Sequence, residues 1–187
     1  MDVPLRARLS LFAQIASEPC FDQLRTKEQL GYLVFSSARK MIGMSGFRVL
    51  VQSERDATYV ESRIDAFFDH LKGVLEKMTD EEFESHKESL IQSRLEAVKN
   101  LGEESMRFWY HIHSRYYDFL QRDVDVEALR SLTKKDIVGF FMQYIHHSSP
   151  TRSKLTVNLR SQVCPTLLSD AAVEAFIPEL VKLGAKD

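Results

Sequence analysis

Cysteine is scarce in this 187-residue chain. The two present, Cys20 and Cys164, are too few for a disulfide scaffold or an all-cysteine zinc site. Two free thiols in a reducing compartment are the expectation. An excess of one charge sign is also missing. Lys and Arg number 25 against 27 Asp and Glu, for a formal net charge of −2. A chain so balanced has no global basic field, which argues against nucleic acid as a partner. No apolar run approaches the ~18 residues of a membrane span, so no membrane partner is expected. Arg6 and Arg8 ahead of Leu9-Ser10-Leu11-Phe12-Ala13-Gln14-Ile15-Ala16 faintly imitate a secretory signal. Acidic Asp2, the interrupting Gln14 and the lack of a small-x-small cleavage site favour a helix packed on the domain instead. The expected location is cytoplasmic, with an organelle matrix or peroxisome as alternatives.

What is present is an ordinary globular composition, 44% hydrophobic and 28% charged. A chain of this size buries roughly 70% of its surface on folding, enough for a core without a structural metal. Leu5, Leu9, Phe12, Ile15 and Ala16, spaced by threes and fours, predict a helix with one apolar stripe over residues 5–17. Pro19 should end or kink it and start a second short helix, which ends before Gly31. Residues 32–36 and 47–52 read as an antiparallel hairpin joined by a long loop at 39–46. A helix comes next, over 58–77. Thr79 with Glu82 forms a capping-box pattern that starts another, and Thr133 with Asp136 caps a later one carrying Ile137, Phe140 and Phe141. Ser148-Ser149-Pro150 breaks that helix. The alternation Lys154-Leu155-Thr156-Val157-Asn158-Leu159 predicts a third strand. Beyond Cys164 a short helix near 169–176 is expected. The class is α+β, an antiparallel sheet with helices layered on one face. The organisation is a single domain over residues 1–163 and then a tail over 164–187. Three strands make a small sheet for this many helices.

Recognisable chemistry is thin. No His-x-x-Glu-His or His-Glu-x-x-His string occurs, and no Gly-x-Ser-x-Gly elbow or phosphate loop. His111 and His113 diverge by about 200° on a helix and cannot share a metal. His146 and His147 sit at a helix end, where they complement the dipole or decorate the surface. No metal ligands are therefore expected in this chain. Cys20 beside Pro19 reads as a buried small thiol. The aromatic cluster Phe108-Trp109-Tyr110 with Tyr116-Tyr117 lacks the basic surroundings of a base-stacking platform.

One segment carries more. Ser17-Glu18-Pro19-Cys20-Phe21-Asp22-Gln23-Leu24, running on into Arg25-Thr26-Lys27-Glu28-Gln29-Leu30-Gly31-Tyr32, closely resembles the C-terminal half of insulysin-like members of the pitrilysin-type zinc metallopeptidase family. The likeness continues at Val51-Gln52-Ser53-Glu54, Tyr59-Val60-Glu61-Ser62-Arg63, Met78-Thr79 and Leu132-Thr133-Lys134-Lys135-Asp136-Ile137, and covers about residues 9–160. The resemblance implies the fourth of four homologous α+β domains, without the strands that open it. It implies a zinc ion in the complete enzyme, bound by another domain, and no cofactor in this chain. The implied partners are the N-terminal catalytic half and a peptide substrate, with a homo-oligomer as a further option. It assigns Arg25 and Tyr32 to substrate binding and to stabilising the transition state of peptide hydrolysis. Phe21, Leu24 and Gly31 would hold the corner that orients the pair. Alone, such a chain should cleave nothing and bind no zinc. Two other readings stay open: a structural or protein-interaction module derived from an inactive family member, and a stand-alone peptide binder.

Overall fold

A computed structural model describes residues 2–41 and 44–159. The chain divides into two units, Met1–Ser153 and Lys154–Asp187. The helix expected near 169–176 and the thiol of Cys164 lie outside the described residues.

The first unit holds α1 (Val3–Cys20), β1 (Leu33–Met41), β2 (Met44–Gln52), α2 (Ala57–Lys77), α3 (Asp80–Leu95), α4 (Leu101–His113), α5 (Gln121–Arg130) and α6 (Lys134–Phe140). The strands pair antiparallel, from Leu33 opposite Gln52 to Met41 opposite Met44. Pairing therefore extends through Arg39–Gly46 and Lys40–Ser45, where a long loop was expected. Val34, Ser36 and Ala38 share one face with Val51, Val49 and Phe47, and that face packs on the core. Phe35 and Arg48 lie on the other face, the guanidinium 5.1 Å above the ring. The arrangement is the expected α+β class, with helices on one face of an antiparallel sheet.

At the centre is α1, which touches both strands and α2, α3, α5 and α6. It buries Ala7, Leu9, Leu11, Phe12, Ala13, Ile15, Ala16 and Cys20, so it is apolar nearly all round rather than along one stripe. Phe12 stacks on Phe141 at 5.6 Å and meets Phe47 edge-on at 4.9 Å. A charged network enters this interior beside α1. Arg6 Nε donates to Asp125 Oδ1 at 2.6 Å, Arg94 donates to Asp125 Oδ2 at 3.1 Å, and Arg94 also reaches Ser10 Oγ at 3.0 Å. Asp125 is 1% exposed and sits on α5, a helix the sequence pattern did not predict.

Caps set several boundaries. Asp56 accepts from the Thr58 and Tyr59 amides at the head of α2. Both bonds of the expected capping boxes form, Thr79 with Glu82 and Thr133 with Asp136. The Pro19 expectation holds in part: α1 ends at Cys20, one residue after the proline, and a second short helical piece follows. The proline costs one backbone hydrogen bond, and the chain continues as a wider π-helical turn over Phe21–Lys27. The expected third strand does not form: residues 154–159 join no sheet, and Leu155, Val157 and Leu159 are exposed. Among the described residues the sheet has two strands, β1 and β2.

Candidate functional site

The π-helical turn positions Arg25, and residues 28–32 bend the chain sharply into β1. Leu24 is fully buried beneath the turn and anchors it in the core. The Glu28 amide bonds to Gln23 O and the Leu30 amide to Leu24 O, both at 3.0 Å. Gln29, with φ of 51°, takes the left-handed conformation that ends the helix. Glycine is the residue expected in that role, but Gly31 has another task. A Cβ there would lie 1.8 Å from Gln52 O and 2.7 Å from Gln52 C. Only glycine lets the corner lie against the end of β2.

Side chains hold the same corner. Glu28 receives two hydrogen bonds from Arg63 on α2, at 2.6 and 2.9 Å, and one from Gln23 at 2.7 Å. The Arg63 bonds hold its carboxyl below the usual carboxylate range. The Ser53 hydroxyl donates to Leu30 O and accepts from the Arg55 amide.

On this frame Arg25 and Tyr32 lie side by side. Arg25 donates to Gly31 O at 2.8 Å, and its guanidinium carbon is 5.1 Å from the centre of the Tyr32 ring and 5.9 Å from that of Phe21. Arg25 is half-buried, whereas Tyr32 is 81% exposed. An open depression of ≈ 490 Å³ lies alongside, lined by Phe21, Arg25, Thr26, Gln29 and Gly31. Arg25 spends one N–H on Gly31 and makes no second hydrogen bond among the described residues. The remaining guanidinium donors and the phenol can therefore be offered to a carbonyl or carboxylate arriving from solvent.

Cys20 is no nucleophile. It is fully buried, and burial pushes its thiol up to about 11. His111 is buried and His113 exposed, so the two diverge as their spacing predicts. The sequence did not signal one group that the fold assembles: Asp69, His146 and His147, whose ligand atoms lie within 4.8 Å of one another. Asp69 is too remote in the chain for any spacing pattern to reveal it.

Residues 11–109 match the family model described as PQQ synthase PqqF-like, C-terminal lobe domain 4. The chain belongs to that family. It is 41% identical over 162 residues to the insulin-degrading enzyme of Bos taurus, covering 85% of this chain and 16% of that protein. It is 44% identical over 159 residues to the A-factor-processing enzyme of Saccharomyces cerevisiae, covering 85% and 15%. A putative zinc protease of Schizosaccharomyces pombe, mug138, is 42% identical over 154 residues. The crystal structure of pitrilysin superposes with a TM-score of 0.68 at 31% identity, over 75% of this chain and 15% of that one. The fold is thus that of a pitrilysin-type α+β domain, and the chain resembles the C-terminal part of insulysin. It spans about a sixth of the length of the relatives it matches. The zinc implied for such peptidases does not fit the Arg25–Tyr32 corner, which offers a guanidinium and a phenol in place of imidazoles and carboxylates.

Proposed function

We propose that this chain is the non-catalytic C-terminal domain of an insulysin-like zinc metalloendopeptidase. In this reading Arg25 and Tyr32 bind the peptide substrate and stabilise the charge that develops during hydrolysis. Zinc and the general base belong to another domain, in the N-terminal catalytic half that is this chain's partner. The observation that carries the reading is the juxtaposition of Arg25 and Tyr32 at one braced corner, with donors to spare. A guanidinium stays charged at every working pH and presents a planar fork of donors, and the phenol adds one more. Aimed at a scissile carbonyl, such donors favour the oxyanion over the neutral ground state.

The test is reconstitution. The chain is mixed with the N-terminal half of a relative and peptide cleavage is measured. Arg25→Ala and Tyr32→Phe should each lower turnover by about 10²–10³, the usual loss for one oxyanion donor. The chain alone should cleave nothing. Undiminished activity in both variants would refute the assignment.

A structural or interaction module is the second reading, and α4 favours it. Met106, Trp109, Tyr110 and Ile112 stand exposed on that helix, at 65, 56, 45 and 40%. Full activity of the reconstituted Arg25→Ala enzyme, with weakened assembly of a Trp109→Ala variant, would select it. A cytoplasmic site of action belongs to the first reading and is checked by cell fractionation.

A further inference from the structure

Asp69 projects from α2 toward the segment beyond α6 and its π-helical continuation, Phe141–Ile145. His147 Nε2 lies 2.8 Å from Asp69 Oδ1, and His146 Nε2 lies 3.3 Å from the same oxygen. The two imidazoles stack, with centroids 4.4 Å apart and planes inclined by 30°. Their Nε2 atoms therefore converge on one carboxylate. The decisive detail is His146. It is only 5% exposed, and its Nε2 makes no hydrogen bond despite the short approach to Asp69. This buried atom has the Asp69 carboxylate as its near neighbour, without the alignment of a hydrogen bond, and the second imidazole stacks beside it.

We propose that Asp69, His146 and His147 form a binding site for a divalent transition-metal ion, with zinc the best match. Two imidazoles and one carboxylate are borderline ligands of the kind zinc takes, and three protein ligands leave a fourth position for water. Around a tetrahedral zinc with bonds of about 2.0–2.1 Å, neighbouring ligand atoms stand about 3.3 Å apart. The His146–Asp69 separation already equals this, and the exposed Asp69 carboxylate has room to open its 2.8 Å contact with His147. The outer contact is in place too. His146 Nδ1 is 2.7 Å from Ser148 Oγ. Nδ1 also accepts from the Ser148 amide at 3.3 Å, so when Nε2 takes the metal and the ring proton moves to Nδ1, that amide bond gives way and the Ser148 hydroxyl becomes the acceptor that fixes the tautomer and the ring.

The ion would bind where the chain is already tied to α2. Arg152 reaches Asp65 Oδ1 at 3.1 Å and lies over the Phe68 ring at 5.4 Å. A bridging metal would fasten residues 146–147 to the same helix and raise the melting temperature of the folded chain. This inference stands apart from the Arg25–Tyr32 reading and does not depend on it.

Calorimetric titration of the 187-residue chain with zinc chloride tests it. One equivalent should bind, and melting should shift upward with added zinc. His147→Ala and Asp69→Asn remove exposed ligands, so both should fold, and each should weaken binding by about 100-fold or more. Cobalt(II) in place of zinc should give the intense visible absorption of a four-coordinate complex, lost in His147→Ala. His113→Ala, another exposed histidine, should leave binding unchanged. The proposal is overturned by absence of stoichiometric binding in the parent chain. It is equally overturned if both ligand variants bind with parent affinity, or if His113→Ala abolishes binding.

Discussion

Replacing Gly31 by alanine should be among the most damaging single-methyl changes this chain can suffer. The Cβ would lie 1.8 Å from Gln52 O, 2.7 Å from Gln52 C and 3.0 Å from Ser53 Cα. Favourable nonbonded contacts begin near ~3.5 Å, so the shortfall exceeds any rotamer adjustment. All three atoms are backbone, which leaves no flexible side chain to yield. Relief requires parting the corner from the end of β2, where Leu33 pairs with Gln52. The cost should reach the upper end of the overpacking range, about 3 kcal/mol. With a urea m-value of about 2 kcal/mol/M, the unfolding midpoint drops by ~1.5 M at unchanged slope. Gly46→Ala and Gly73→Ala supply the contrast, since a Cβ at either position meets nothing within 4 Å. Gly73 lies within α2, and alanine there should stabilise by about 0.5–1 kcal/mol. Urea titrations of the three variants monitored by circular dichroism decide the matter. A Gly31→Ala midpoint indistinguishable from that of the parent chain would refute the close-approach argument.

Asp125→Ala would leave Arg6 and Arg94 without their shared buried acceptor, and the loss of one partner from such a network costs about 3–5 kcal/mol. Thermal melting should show it, and a change under ~1 kcal/mol would mean that water replaces the carboxylate. Cys20 should resist alkylation at neutral pH until the chain unfolds, because burial raises its thiol pKa to about 11. Peptide mapping after brief iodoacetamide treatment checks this, with labelled Cys20 in the folded chain as the contrary result. Glu28 has a folded pKa that Arg63 depresses below the ordinary 4.5, so its contribution to stability is complete above that value. It is lost as pH falls through the depressed folded value. The stability gap between the parent chain and Arg63→Gln should thus be full at pH 7 and close in acid, and a gap independent of pH would contradict the Glu28–Arg63 pairing.

What the residues reveal by themselves is what is local. Thr79 with Glu82 and Thr133 with Asp136 announce helix starts because the cap and its reciprocal partner lie three residues apart. The hairpin is legible in the alternation of residues that pair across a short distance in the chain. Structure and expectation part where distant groups decide. Pro19 marks where α1 gives way, but that the chain stays helical as a π-helical turn, with Leu24 buried beneath it, follows from packing on other elements. On α5 half of the residues are charged, and what it buries is Val126 and Leu129 together with Asp125, whose partners are 119 and 31 residues away. The 154–159 alternation has strand character, but alternation records only which side chains share a face and not whether a ladder forms. At the candidate site, Gly31 is recognisable as special but not for its true reason, because close approach to Gln52 cannot be inferred without the hairpin's register.

The corner explains why a guanidinium and a phenol on either side of a bend can act as one unit. Glu28–Arg63, Ser53–Leu30 and the Gly31–Gln52 contact brace the loop from α2, from β2 and from the residue just beyond β2, all outside the motif itself. Arg25 is then held by Gly31 O and the Tyr32 ring before any ligand arrives. The entropy of ordering a long cationic side chain is largely met during folding rather than on binding. A surface arginine without such bracing would forfeit much of its hydrogen-bond energy to that ordering. In the proposed function the bracing residues hold the corner and leave the peptide to Arg25 and Tyr32. Their effect on any binding here must therefore run through the orientation of Arg25 and Tyr32, which makes them positioning residues.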